Sequence, residues 1–366
     1  MFRRIFWILN LIRSIWLGRG DSSFFSQNIY AGGQPRPRKQ VWVSYLLLFV
    51  NVLILIAMSF AGGSSNSEVL IDFGAMYGPY LAAGQYWRLF TAMFIHVGII
   101  HLLFNSFGLW IFGRMAEALF GSSKFVLIYV LAGLCGAVVS YIFNPIVIAA
   151  GASGAIFGIL GALAAFFSTM YKDPNARKNL YGLLGLVGLN LILGFLSSSR
   201  ARWAHMGGFA SGFILGYFIT PVSGYVHPVS GILLHPGYQG FYVINKLKKT
   251  IGRYIAILIV LLIIVGGIWL GNTTLPTNTA TEVIRAQKLI EEKDYVAALT
   301  NIERAISVGS PGDVFLGRAY FLRALIMTEY GDIDSALNDI RYALLHSDEK
   351  TRKESIQLLT KMKDLR

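Results

Sequence analysis

Long apolar runs dominate the first three quarters of the chain, and the polar positions between them are gathered into short stretches. Runs at about 42–60, 98–113, 124–143, 151–170, 180–196, 204–220 and 254–271 each come close to the length an α-helix needs to cross a membrane, which predicts seven spans. Glycines recur inside them. Gly208, Gly212 and Gly216 are spaced four apart and so share one helix face, a pattern that lets helices in lipid pack closely. Residues 1–19 read differently: Arg3, Arg4, Asn10, Arg13 and Ser14 fall on one half of a helix, with Phe, Ile, Leu and Trp on the other. That pattern predicts a helix lying on the membrane surface. A signal peptide is the alternative, but Arg13 interrupts the apolar stretch and no small-residue cleavage site follows. Residues 20–40, rich in Ser, Gly, Pro and Arg, read as a linker.

After 271 the hydropathy changes. Ala286, Ala298 and Ala305 recur as Ala324, Ala336 and Ala343, each 38 positions on, and 294–306 repeats the apolar pattern of 332–344. The repeat resembles tetratricopeptide helix pairs, whose period is about 34, with the excess at Ser310-Pro311-Gly312-Asp313. Two repeats and a final helix at 350–365 predict a small solenoid with a binding role, short enough to need a protein partner, a second copy or the membrane domain for firm order. A passive pair of helical hairpins is the plainer reading. The predicted organisation is thus a surface helix and linker at 1–40, a six-span domain at 41–220, a basic cytoplasmic loop at 221–253, a seventh span at 254–271 and a soluble tail at 272–366. The fold class is all-α: a polytopic membrane helix bundle with a small helical-repeat tail.

Composition agrees, with 55% hydrophobic and 14% charged residues. The net charge of +13 is uneven: 13 Lys/Arg stand against 14 Asp/Glu from Asn272 onward, and 19 against 5 before it. A basic membrane region invites a nucleic-acid reading, but these charges sit in short loops between spans, where the positive-inside rule accounts for them. With the N-terminus cytoplasmic, the membrane region places sixteen Lys/Arg inside and only Arg88, Arg200 and Arg202 in its outside loops. The tail is then extracytoplasmic, and the arrangement suits a bacterial inner membrane. The one cysteine, Cys135, lies in an apolar run and reads as a buried small hydrophobe.

This topology puts four polar side chains in one layer. Ser153, His205, His101 and Asn105 all lie within the first turns of spans that start at the outer face. A serine hydroxyl needs a base to become a nucleophile, and histidine supplies one near neutral pH. Ser153 is the candidate nucleophile and His205 the candidate base, with no Asp or Glu at that depth to make a third member. The oxyanion formed on attack needs donors, here the Ser153 amide at a helix N-terminus, His101 and Asn105. Gly151 and Gly154 flank the serine, and Gly208 follows the histidine, permitting close backbone approach. Gly-x-Ser-Gly on its own is as well explained by helix packing.

The motifs resemble the rhomboid family of intramembrane serine proteases over about 42–220. Trp87-Arg88, His96 with His101 and Asn105, Gly113 with Glu117, Gly151-Ala152-Ser153-Gly154, and Ala204-His205 with Gly208 and Gly212 follow the family's order. The resemblance implies a Ser153–His205 dyad, an oxyanion hole of His101, Asn105 and the Ser153 amide, and Phe157 stacked on the His205 ring. It implies a surface structural role for Trp87 and Arg88, a structural hydrogen bond for His96, a turn at Gly113–Glu117 and a structural pairing of Arg114 with Glu117. Substrates would be transmembrane proteins cut in or beside their spans, with lipids as surroundings and with neither cofactor nor metal required. Two other readings remain: a catalytically silent scaffold binding client helices, and a transporter, against which the spans hold almost no carboxylates.

Overall fold

The computed structural model describes residues 41–171, 174–196, 201–220, 239–275, 278–310 and 313–363. The predicted surface helix and linker at 1–40 lie outside these residues, as does 221–238. The main helices are α1 (Val43–Phe60), α2 (Ser67–Asp72), α3 (Gly78–Ala82), α4 (Gly98–Phe120), α5 (Ser122–Phe143), α6 (Ser153–Thr169), α7 (Pro174–Leu196) and α8 (Arg202–Ile219). They are followed by α9 (Gln239–Thr274), α10 (Thr279–Glu291), α11 (Tyr295–Val308), α12 (Val314–Glu329), α13 (Ile333–His346) and α14 (Glu349–Lys363). The described residues contain no β-strand. Helices α1, α4, α5 and the Thr250–Thr274 part of α9 are long and apolar enough to cross a membrane, and α6 is a shorter apolar helix.

The chain divides into two compact units. In the first, α6 is the central element, buried from Gly154 to Phe167, with α5, α7 and α8 packed against it. A helix apolar all round is stable only when surrounded, which is how α6 is used. Its contact with α8 is made of backbone. A Cβ placed on Gly208 would lie 2.0 Å from the Gly154 carbonyl oxygen, one on Gly212 2.0 Å from that of Gly158, and one on Gly216 2.4 Å from Ala162 Cα. Helix α9 is not a loose addition either, since Cβ atoms at Gly252 and Gly267 would strike Phe218 and Val138.

Two boundaries differ from the sequence expectation. The predicted turn at Gly113–Glu117 is helical: α4 widens into a π turn at Leu109–Gly113 and runs on to Phe120, and the chain reverses at Gly121, whose φ is 85°. Part of the predicted loop at 221–253 is also helical, because α9 begins at Gln239. No proline interrupts 239–254, and its Lys, Leu and Ile residues tolerate a helix well.

Glu117 is fully buried and binds helix starts rather than Arg114. It accepts hydrogen bonds from the amides of Trp42, Val43 and Ser44 at 2.9–3.1 Å and from the hydroxyls of Ser44 and Ser122 at 2.8 Å. A carboxylate there satisfies the orphan N–H groups of α1 and complements its dipole. Arg114 instead lies over the rings of Tyr45 and Trp110. Glu117→Ala is expected to cost about 3 kcal/mol or more by stranding several buried donors, read as a lowered unfolding midpoint in detergent. An unchanged midpoint would mean that water replaces the carboxylate.

The second unit comprises Met76–Arg88, Asn144–Ile148 and Trp269–Arg366. Helices α10 to α14 stack around a core of Val283, Ala286, Ala298, Ile302, Ala305, Ala319, Ala324, Ala336, Ile340 and Ala343. The loops entering α11 and α13 are alike: Asp294 accepts from the Ala297 amide and Asp332 from the Ser335 amide, both at 3.1 Å. Arg323 grips Asp339 with two hydrogen bonds of 2.8 and 2.7 Å between α12 and α13, and Arg318 pairs with Glu354 of α14.

Candidate active site

Ser153 is the first residue of α6. The amides of a helix's first turn have no intrahelical acceptor, so its N–H is available to a ligand. Phe157 follows one turn later on the same face. The His205 ring, in the first turn of α8, lies flat on Phe157, with centroids 4.0 Å apart and planes 4° from parallel. Nε2 of His205 is buried and has no hydrogen-bond partner among the described residues. Ser153 Oγ has therefore not engaged it in this state. Such bonds are often long in a resting site and tighten when substrate binds.

Close backbone packing fixes the two helices here. A Cβ on Gly154 would sit 3.5 Å from the Ala204 carbonyl oxygen, an ordinary contact, and one on Gly136 of α5 would be 2.6 Å from the same oxygen. The Ala204 carbonyl, next to the histidine, thus faces the residue next to the serine.

His101 approaches from α4. Gly151 has φ of 126°, and a Cβ there would lie 2.6 Å from His101 Cε1. Only glycine both adopts this backbone and leaves room for the ring. The Gly151 amide donates to the Ala92 carbonyl at 2.8 Å, which pins the turn just before the serine. Asn105 is buried, and its Nδ2 donates to the His101 carbonyl of its own helix at 2.9 Å. One amide hydrogen is used there and a second remains.

His96 precedes α4, fully buried, with its ring edge-on to His101 at 5.4 Å and Nδ1 3.2 Å from the Phe94 carbonyl oxygen. Burial, reinforced by His101 and opposed by the bond to Phe94, pulls its pKa down to about 4. His96 is therefore neutral near pH 7, and Nδ1–H donates to Phe94.

Trp87 and Arg88 belong to the second unit. Arg88 is 6% exposed, with its guanidinium over the rings of Tyr80 at 4.4 Å and Trp87 at 4.6 Å and its Nε donating to Gln85 at 2.7 Å. The loop's own aromatics thus hold the charge, in keeping with a structural role. Sequence reading passed over Ala92, since its part is played by a backbone carbonyl and no side chain signals it.

The sequence profile described as Rhomboid domain matches residues 83–222, which include Ser153, His205, His101 and Asn105. Similar proteins include Rhomboid protease GluP of Bacillus subtilis (strain 168), 39% identical over 175 residues that make up 46% of this chain and 33% of that protein. RHOMBOID-like protein 7 of Arabidopsis thaliana is 32% identical over 54% of this chain and 71% of its own length. Putative rhomboid protease YdcA of Bacillus subtilis (strain 168) is 31% identical over 38% of this chain and, again, 71% of its own length. The chain belongs to the rhomboid family. It spans about a third of GluP and about half of RHOMBOID-like protein 1 of Arabidopsis thaliana, which is 36% identical. Like other rhomboids it is an integral membrane protein with several crossings.

Proposed function

We propose that this protein is an intramembrane serine endopeptidase that cuts membrane proteins in or next to their transmembrane segments. The observation that carries this reading is the His205 ring, laid on Phe157 one turn from Ser153, with Nε2 buried and without a hydrogen-bond partner among the described residues. His96 Nε2 is likewise buried without a partner among the described residues, so it is the stacking of the His205 ring on Phe157, one turn from Ser153, that singles out His205 as the base.

In the reaction Ser153 Oγ attacks the scissile carbonyl while His205 Nε2 takes the hydroxyl proton. The carbonyl oxygen becomes an oxyanion, with the Ser153 amide, Asn105 Nδ2 and His101 as its donors. His205 passes its proton to the leaving amine as the C–N bond breaks, leaving an acyl ester on Ser153. Water, deprotonated by the same imidazole, then attacks the ester and frees the serine. A helix hides its carbonyls in internal hydrogen bonds, so the substrate span must unwind locally before attack. No cofactor, metal or nucleic acid has a part in these steps.

The first unit serves as the catalytic domain, with the N-terminus cytoplasmic. Met76–Arg88 and the tail share one compact unit, which supports their lying on the same, extracytoplasmic side. The paired helices with matching Asp294 and Asp332 caps support a tetratricopeptide-like tail with a binding role.

The test is reconstitution in proteoliposomes with labelled single-span substrates, together with a fluorophosphonate probe. The expected result is substrate cleavage, and a probe adduct on Ser153 that is absent from His205→Ala. A protein that cleaves none of several substrates and takes no probe would instead be a scaffold for client helices.

A further inference from the structure

Helix α10 carries two apolar faces. Val283 and Ala286 point into the tail's own core, whereas Ala280 and Ile284, one turn apart, belong to a separate cluster with Tyr77, Tyr80, Ala83, Ile148 and Phe315. That second cluster joins the tail to the outer loop segments of its unit. The rings of Tyr77 and Phe315 stack at 6.4 Å with planes 20° apart. The Asn272 amide donates to the Tyr86 hydroxyl at 3.0 Å, and the amide of Gly78, at the start of α3, donates to the Pro145 carbonyl at 2.8 Å. Burial, with the Asp313 carboxylate next and then Tyr80, pushes the Tyr77 phenol up to about 12, so the ring enters this contact uncharged.

The segments gripped in this way lead straight into the site along the chain. Ile148, packed in the cluster, is five positions before Ser153. Arg88 closes the other segment, and four positions on comes Ala92, whose carbonyl receives the Gly151 amide at 2.8 Å. Gly151 in turn leaves the room that His101 occupies. A change in how the tail holds its two segments therefore has a covalent route to the turn before the nucleophile.

We infer that the tail is a positioning clamp: through Ala280, Ile284 and Phe315 it holds the loop around α3 and the stretch before Gly151, and so keeps the oxyanion turn in its reactive form. This rests on the protease reading of the site. Tyr77 and Phe315 are positioning residues that touch no substrate. Their loss slows the chemical step and leaves substrate binding alone, because misplacing the turn affects only groups used in the transition state.

The test uses the full chain in proteoliposomes. Ala280→Arg, which drives a charge into the cluster, and Tyr77→Ala, which opens it from the loop side without removing a residue of the tail, are each expected to lower kcat about ten-fold at unchanged KM. Phe315→Tyr, conservative in shape, should keep wild-type kcat, as should Val296→Arg on an exposed part of the tail. Hydrogen exchange at the Gly78 and Gly151 amides should quicken in Ala280→Arg and Tyr77→Ala alone. In a Tyr77→Cys, Phe315→Cys pair made with Cys135→Ser, a short bismaleimide should link loop to tail and restore turnover. Unchanged or raised kcat in both cluster variants, or exchange at Gly151 that does not respond, overturns the clamp. If the wild type neither cleaves nor takes the fluorophosphonate probe, the protease reading falls, and exchange at Gly78 and Gly151 alone decides the clamp.

Discussion

Ser153→Ala should leave the protein folded and reduce peptide-bond hydrolysis by a factor of about 10⁴ or more, down to the background of the assay. The fold is expected to survive because the substitution deletes one oxygen at the first position of α6. That helix starts from Ala152 without a side-chain cap, so no capping bond is lost. The stability change should stay within about 0.5 kcal/mol. Activity goes because no other side chain in the site offers a nucleophile: His101 and Asn105 are donors, and His96 is held neutral against the Phe94 carbonyl. His205→Ala should cost about as much, and the double variant little more than either, since the two act as one unit. The measurement is cleavage of a labelled single-span substrate, with thermal unfolding of each variant alongside. Equal cleavage by wild type and Ser153→Ala would remove the serine from the mechanism.

The largest loss of stability should come from Gly208→Ala or Gly212→Ala. A methyl at either position would sit 2.0 Å from a carbonyl oxygen of α6, Gly154 in one case and Gly158 in the other. Backbone cannot rotate aside as a side chain can, so α6 and α8 must separate. Without a hydrophobic drive between helices in lipid, this packing is a main source of their association. A penalty of about 3 kcal/mol or more is expected, seen as a sharply lower unfolding midpoint and loss of turnover. Gly154→Ala is the informative contrast. It lies on the same contact, yet its methyl would meet the Ala204 carbonyl at 3.5 Å, an ordinary separation. It should cost under about 1 kcal/mol. Equal sensitivity of Gly154 and Gly208 would mean that the two helices meet in another register.

The sequence by itself determined the secondary structure of the membrane part and the short list of polar residues in it. Apolar length sets which stretches become helices, and Ser153, His205, His101 and Asn105 stand out from the other polar residues of the spans by their shared depth and their motifs. Spacing also places Phe157 one turn from Ser153 and Gly208, Gly212 and Gly216 on one face. Helix ends were less legible. Gly113 looked like a turn and is helical, because a single glycine only weakens a helix whose neighbours are packed. The start of α9 was hidden in a polar stretch that lacks an apolar period.

Tertiary structure alone decided which partner each group takes. Glu117 caps α1 across more than 70 positions of sequence rather than meeting Arg114 nearby. Arg88 is enclosed by Tyr80 and Trp87, Asn105 turns back to its own helix, and Ala92 secures Gly151 through a carbonyl. The face of Ala280 and Ile284 turned to the loop looked, in sequence, like part of any amphipathic helix. Periodicity reports that a face is apolar, because that depends on composition. What covers the face depends on distant chain segments meeting, and only the folded backbone brings them together.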